Sequence, residues 1–246
     1  MDTKLSLIIP IYNAEAFILD TLIRLTEWKQ KITYSVQIIL VNDGSNDSTN
    51  LIVDDYIKIK NSSIEIISYK LNQGKGYAVR NGMLAAKGKY RIFTDADIPF
   101  GFEVFDTMLY YLDFKEFDVV VGDRTLPGSS YITEIPQIRK VGSYIFSFIV
   151  GRFVAGGHFD TQCGIKGFSA VVANDLFSVN KINGFAFDVE LLYISLKRNY
   201  DIKRIPVVLS RQEGSSVSML SHGLLMFIDL YKIIWNQLKG KYIKQK

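Results

Sequence analysis

Two aspartates separated by one residue, Asp95-Ala96-Asp97, directly follow the β-branched and aromatic run Tyr90 to Thr94. Carboxylates at that spacing can reach one ligand. Such a pair suits a hard divalent ion, Mg²⁺ or Mn²⁺, which commonly keeps phosphate oxygens among its remaining ligands. Comparable polar clusters follow four other such runs: Tyr12-Asn13 after Leu5 to Ile11, Asn42-Asp43-Gly44-Ser45 after Val36 to Val41, Asn72-Gln73-Gly74-Lys75-Gly76 after Ile64 to Tyr69, and Gly122-Asp123-Arg124 after Val119 to Val121. Asn, Asp and Gly are turn formers, so any single cluster also reads as a plain turn. Asp95 and Asp97 fit that reading worst. At Gly74 and Gly76 two readings stay open, a simple turn and a close backbone approach to phosphate or sugar at a helix start.

Other chemistries are excluded or open. The first run ends in Pro10-Ile11-Tyr12-Asn13 with no Gly, and Val79 stands where a third Gly of a dinucleotide fingerprint would fall, so NAD binding is not expected. There is no Walker sequence for ATP. With one Cys (Cys163) and two His, a Cys/His zinc site and a disulfide framework lack residues. Cys163, in the polar stretch Asp160-Thr161-Gln162-Cys163-Gly164, reads as a small buried thiol rather than a nucleophile. Asp188 and Glu190 interrupt the apolar run Phe185 to Leu192, where charge is costly unless used or paired.

The elements that would position these groups follow from periodicity. The five runs alternate with helical patterns at about 14–30, 48–60, 76–86 and 102–113, the signature of a parallel sheet covered on both faces. The expectation is an α/β, doubly wound chain. In such a sheet, ligands bind beyond the carboxyl ends of the strands, where all five clusters would converge. The second half predicts a long helix near 136–155, a strand near 165–168, helices near 170–178 and 187–198, a strand at 202–209 and a last amphipathic helix. A chain of 246 residues with 48% apolar and 22% charged residues is of globular composition and long enough for one compact domain.

Mean hydropathy of +0.12 and a net charge of +4 indicate a greasy, basic face. Leu230 to the end holds five Lys and no acid, and Met219, Leu220, Leu224, Phe227, Ile228, Tyr231, Ile234, Trp235 and Leu238 recur at helical spacing. A second greasy stretch, Tyr144 to Val150, lies between Arg139, Lys140 and Arg152. Charges interrupt both before the ~20 residues of a membrane span. The last helix therefore reads either as an interfacial helix at anionic lipid or as a core helix with a solvated tail. Deleting Leu238–Lys246 is expected to weaken vesicle binding and spare donor binding. The basic excess has no stacking platform, so nucleic acid is not expected as a partner. Met1 to Lys4 lacks a signal-peptide pattern, so the chain is expected to stay inside the cell.

Taken in order, Pro10-x-Tyr12-Asn13, Asn42-Asp43-Gly44-Ser45-x-Asp47-x-Thr49, Asn72-x-Gly74-x-Gly76, Asp95-Ala96-Asp97, Asp160 to Gly164, Phe187-Asp188-x-Glu190-Leu191 and Glu213-Gly214-Ser215 resemble the inverting family-2 glycosyltransferases. The dolichyl-phosphate glucosyltransferase and mannose synthase group is most similar, over about residues 4–218. The resemblance implies a single-domain GT-A fold: residues 1–216 catalytic, with about 1–125 binding the nucleotide sugar and about 126–216 the acceptor, then 217–246 as amphipathic basic helix and tail. It implies transfer of a sugar, glucose from UDP-glucose, to a polyprenyl phosphate by an enzyme bound peripherally at the cytoplasmic face of a membrane. Pro10, Tyr12, Asn13, Asp43, Gly74, Lys75, Asp95, Ala96 and Asp97 would bind the donor, Asp95 and Asp97 its Mg²⁺ or Mn²⁺, and Arg124, Arg139, Arg211 and Ser215 the acceptor phosphate. Two positions depart from the pattern: Asn42 replaces a usual Asp and Ser216 a usual Lys.

The acceptor sets the mechanism. A lipid phosphate is already an anion and needs no base, whereas a sugar hydroxyl must lose a proton, with Asp188 or Glu190 as candidates. Transfer to a hydroxyl of a glycan is the first alternative, and a non-catalytic nucleotide-sugar binder the second.

Overall fold

The computed structural model describes residues 3–60, 62–131, 160–210 and 219–243. The expected helix at 136–155, Arg139, Arg211 and Ser215 lie outside them. Among the described residues the strands are β1 (Leu5–Ile11), β2 (Val36–Asn42), β3 (Ile64–Ser68), β4 (Tyr90–Thr94), β5 (Val119–Asp123), β6 (Ser130–Tyr131), β7 (Ile165–Ser169), β8 (Ile202–Pro206) and β9 (Val208–Leu209). The helices are α1 (Ile18–Lys31), α2 (Thr49–Lys60), α3 (Lys75–Ala85), α4 (Glu103–Leu109), α5 (Ala170–Val179), α6 (Phe187–Lys197) and α7 (Met219–Leu238).

The main sheet runs β3-β2-β1-β4-β7-β5-β8, with β6 and β9 pairing apart. β1 to β4 are parallel, and β7 alone runs antiparallel, between β4 and β5. The strand order reverses between β1 and β4, the place where an open sheet leaves a crevice at its carboxyl edge. Because β7 is reversed, it is its beginning, after Asp160 to Gly164, that reaches that edge.

Central strands read as continuous apolar runs because both faces are covered. Leu5, Leu7, Ile9 and Ile11 pack with α1, α2 and α4, while Ile8, Ile39 and Val41 pack with α3, α5 and α6. Ser6 is tolerated at 0% exposure because its hydroxyl donates to Gln37 Oε1 at 2.6 Å and accepts from Gly88 N at 2.8 Å. The single strand expected at 202–209 is two: Pro206 closes β8, and Val207 N turns to donate to Ser129 Oγ at 3.1 Å.

The last described segment, residues 219–243, packs in part on the core. Leu230, Ile233 and Tyr242 are buried against α5 and α6. Deleting Leu238–Lys246 would also remove a buried tyrosine, Tyr242. The outward stripe of α7 is still apolar, with Ile228, Tyr231, Ile234, Trp235 and Leu238 exposed, and Lys239 lies over the Trp235 ring at 4.8 Å. No described helix is long and apolar enough to cross a membrane.

Candidate active site at the carboxyl edge of the sheet

The loops after β1 and β2 are laced together. Asn13 N donates to Ser45 Oγ at 3.0 Å and Asn13 Oδ1 accepts from Asn46 N at 2.9 Å. Thr49 Oγ1 accepts from Ala14 N at 2.7 Å, and Asp47 Oδ2 from Glu15 N at 3.1 Å. Asn13, Asp47 and Thr49 thus shape the loop walls. Asn42 is used in the same way: its Oδ1 accepts from Ser45 N at 3.0 Å and Ser45 Oγ at 2.7 Å. Pro10 lies just before the edge, and Tyr12 is exposed there.

Asp43, directly after β2, has both carboxylate oxygens engaged, accepting from Gln73 N at 2.9 Å and Gly74 N at 2.8 Å. Burial pushes its carboxyl above the ordinary value, against the pull of those two N–H groups. These bonds pin the turn that opens α3. Gly74 sits there at φ +102°, and a side chain on it would meet Asn183 O at 2.5 Å, so only glycine fits both backbone and space.

Lys75, the first residue of α3, places its ammonium 2.5 Å from Asp95 Oδ1. Burial pulls its pKa down, but Asp95, Asp188 and Asp97 outweigh this and hold it above the ordinary lysine value. Asp95, Ala96 and Asp97 form the turn after β4: Ala96 O accepts from Thr21 Oγ1 at 2.9 Å and Ile98 N donates to Asp95 O at 3.0 Å. Gly164 closes on this turn from β7, so near that a Cβ would lie 1.9 Å from Asp95 Oδ2. Gly164 of the Asp-Thr-Gln-Cys-Gly stretch therefore leaves the carboxylate its room.

Two carboxylates and that cradle have the chemistry of a hard-cation holder. Among the described residues no three His, Cys, Asp or Glu side chains converge on one point. An ion at Asp95 and Asp97 would take most of its ligands from phosphate or water.

Arg124, just beyond β5, forks onto Asp160, with Nε to Oδ2 at 2.6 Å and Nη2 to Oδ1 at 2.7 Å. Burial alone would raise the Asp160 carboxyl; the guanidinium overcomes it and holds the group below the usual carboxylate range. The neighbouring Asp123 accepts from Arg204 Nε at 2.6 Å. Cys163 is 0% exposed, and burial pushes its thiol up to about 12, in agreement with a structural thiol.

The α6 carboxylates are enclosed. Asp188, 4% exposed, accepts from Lys166 Nζ at 2.6 Å, and burial pushes its carboxyl up while Lys166 and Lys75 pull it back. Glu190, at 0% exposure, accepts from Asn180 Nδ2 at 2.5 Å, Lys181 N at 3.0 Å, Ile182 N at 2.7 Å and the Tyr242 hydroxyl. These bonds brace the 180–184 turn, which seats Gly74 and whose Asn183 O accepts from Tyr77 N at 3.2 Å. Glu190, one of the two candidate bases for a hydroxyl acceptor, is thus enclosed, with its carboxylate engaged by the 180–182 segment and Tyr242.

Lys166 is the residue that sequence reasoning missed. It is 0% exposed in the middle of β7, donates also to Cys163 O at 2.9 Å and lies 5.5 Å from the centre of the Phe93 ring. Its signal was a lysine inside Ile165–Ser169, where the neighbours are apolar; a buried lysine there demands a carboxylate partner.

A cleft of about 400 Å³ runs from Gly74 and Lys75 along Ile182 and Phe185 to Met226 and Lys232 of α7. It joins the polar cluster to the helix with the exposed apolar stripe.

A dolichyl-phosphate β-glucosyltransferase of Dictyostelium discoideum is 33% identical over 246 residues, covering 96% of this chain and 75% of that protein. The human dolichyl-phosphate β-glucosyltransferase is 30% identical over 250 residues, covering 97% and 77%. The crystal structure of mannosyl-3-phosphoglycerate synthase from Rubrobacter xylanophilus superposes with a TM-score of 0.69 at 14% identity, covering 99% of this chain and 76% of that one. A Mycobacterium tuberculosis glucosyl-3-phosphoglycerate synthase, solved with Mn²⁺, UDP and phosphoglyceric acid, gives 0.67 at 16% identity, covering 99% and 80%. These likenesses identify the fold as GT-A. The glycosyl transferase family 2 model matches residues 6–177, and the chain belongs to that family of glycosyltransferases.

Proposed function

We propose that this enzyme transfers a hexose, glucose from UDP-glucose, with inversion onto the phosphate of a polyprenyl phosphate of the dolichyl type. The observation that carries this reading is the enclosure of both candidate bases: Asp188 is bonded to buried Lys166, and Glu190 is bonded to the 180–182 backbone and Tyr242. A hydroxyl acceptor needs a carboxylate open to it; a phosphate does not. The names of the similar dolichyl-phosphate glucosyltransferases support the same acceptor and sugar.

In this reading Asp43 and the 72–76 turn receive the nucleoside and diphosphate, and Lys75 faces the diphosphate. Asp95 and Asp97 would hold Mg²⁺ or Mn²⁺, which as a Lewis acid stabilises charge developing on the leaving diphosphate. Arg124 contributes a guanidinium at the acceptor side, joined by Arg139, Arg211 and Ser215 from outside the described residues. An acceptor phosphate oxygen attacks the anomeric carbon from the side opposite the diphosphate, forming the new C–O bond as the bond to the diphosphate breaks. The exposed stripe of α7, with Lys232, Lys239 and Lys241, would lie on an anionic membrane surface at its cytoplasmic face. The cleft from Lys75 to Met226 would then lead the phosphate-proximal isoprene inward.

The test is to incubate the purified protein with Mn²⁺ and a short polyprenyl phosphate, offer UDP- and GDP-sugars in turn, and weigh the lipid product. Glucosyl lipid from UDP-glucose is expected. Product from GDP-mannose alone, or from no donor, refutes the assignment.

A further inference from the structure

Lys75 puts its ammonium directly against the Asp95–Asp97 pair, and it is held rather than loose. Gly74 fixes the backbone just before it, its ammonium lies 2.5 Å from Asp95 Oδ1, and Asp188 and Asp97 both act on it electrostatically. Asp188 in turn is fixed by Lys166 from the opposite side, at 2.6 Å. Charges therefore alternate from Lys166 to Asp188 to Lys75 to Asp95. Such a chain leaves the carboxylate that should hold a divalent ion already neutralised by the protein itself.

We propose that Lys75 is an exchangeable counter-cation: it neutralises Asp95 in the donor-free enzyme and leaves it when a divalent ion and the donor diphosphate arrive together. The inference rests on the reading of Asp95 and Asp97 as the metal-holding pair. A divalent ion arriving alone must displace the ammonium from Asp95 and then sit beside it, two cations in close repulsion. Asp188 offers Lys75 little refuge, because Lys166 already engages it. A nucleoside diphosphate changes the balance, since its oxygens ligate the ion and also give Lys75 a new anion. Metal and nucleotide should then each strengthen binding of the other by the same factor, as linkage requires.

The test measures Mn²⁺ binding from the electron paramagnetic resonance signal of free Mn²⁺, with and without UDP, corrected for the Mn²⁺–UDP complex in solution. Wild-type protein is compared with Lys75→Met and Lys75→Gln, the second of which keeps a hydrogen-bond donor for Asp95 and guards against misfolding. In the wild type, UDP is expected to raise Mn²⁺ affinity by about tenfold or more. In both variants Mn²⁺ alone should bind about tenfold more tightly than to the wild type, with a smaller gain from UDP. Unchanged or weaker Mn²⁺ binding without UDP in both variants overturns the proposal. Asp97→Asn separates the two layers. If it abolishes Mn²⁺ binding while the Lys75 variants bind like the wild type, only the counter-cation role fails; if it binds Mn²⁺ like the wild type, the metal reading fails and takes the proposal with it.

Discussion

The turn after β4 and the first turn of α6 both present two acids one residue apart, in opposite environments. Asp95 keeps about a third of its side chain exposed, with Lys75 paired to it and Gly164 leaving room beside it. Asp188 and Glu190 are buried and bonded within the protein. The same functional group meets different surroundings: in the proposed reading the first pair faces a ligand, and the second holds the structure that shapes the site. Burial of a charge is weak evidence of catalysis when its partners are all internal.

Breaking the open pair should have the largest effect. Asp97→Asn is expected to lower glycolipid formation by about 10²–10³-fold at unchanged thermal stability, the scale of losing one charge-stabilising group. Glu190→Gln should do the reverse, with stability falling by about 1.5–3 kcal/mol through weaker charge-assisted bonds and activity of the folded protein within about tenfold. A large fall in kcat at full stability in Glu190→Gln would make it a base and erase the contrast. Lys166→Met should cost about 3–5 kcal/mol in urea unfolding, since it strands the Asp188 charge, and Asp188→Leu on that background should recover much of the loss. Additive losses would break the pairing.

The first half of the sheet was readable because its signals are local. Pro10 to Asn13, Asp43, the 72–76 glycines and Asp95 to Asp97 each end a strand, and strands buried on both faces announce themselves as apolar runs. What was not readable depended on chain direction and distance. The reversal of β7 has no local mark, yet it brings Asp160 to Arg124 and Lys166 to Asp188, contacts 36 and 22 residues apart in sequence. The partners of Glu190, the 180–182 backbone and Tyr242, are likewise invisible to periodicity. The last helix had two readings, and its residues divide between two faces: Leu230 and Ile233 face the core, while Tyr231 and Trp235 face outward.

The outward face gives a smaller prediction. Tyr231→Ser with Trp235→Ser should weaken sedimentation with anionic phospholipid vesicles by about tenfold and leave UDP binding intact, which Leu238–Lys246 deletion cannot test cleanly because Tyr242 is buried. Equal vesicle binding would assign that face another role. The smallest effect concerns acid. Asp160 is held below its ordinary value in the folded state, so the Arg124 pair's contribution is full above the unfolded carboxylate value, about 3.9, and is lost as pH falls through the lower folded value. Asp160→Asn should therefore be less stable at neutral pH and lose less stability on acidification; an unchanged acid limb would contradict the pairing.

The account turns on an acceptor that needs no base. The direct measurement offers the enzyme UDP-glucose and Mn²⁺ with a mixture of a short polyprenyl phosphate, the same polyprenol lacking phosphate, and free glucose, and identifies the glycosylated product by mass. Hexose on the polyprenyl phosphate alone is the predicted result. Hexose on the polyprenol or the free sugar, with none on the phosphate, would contradict it.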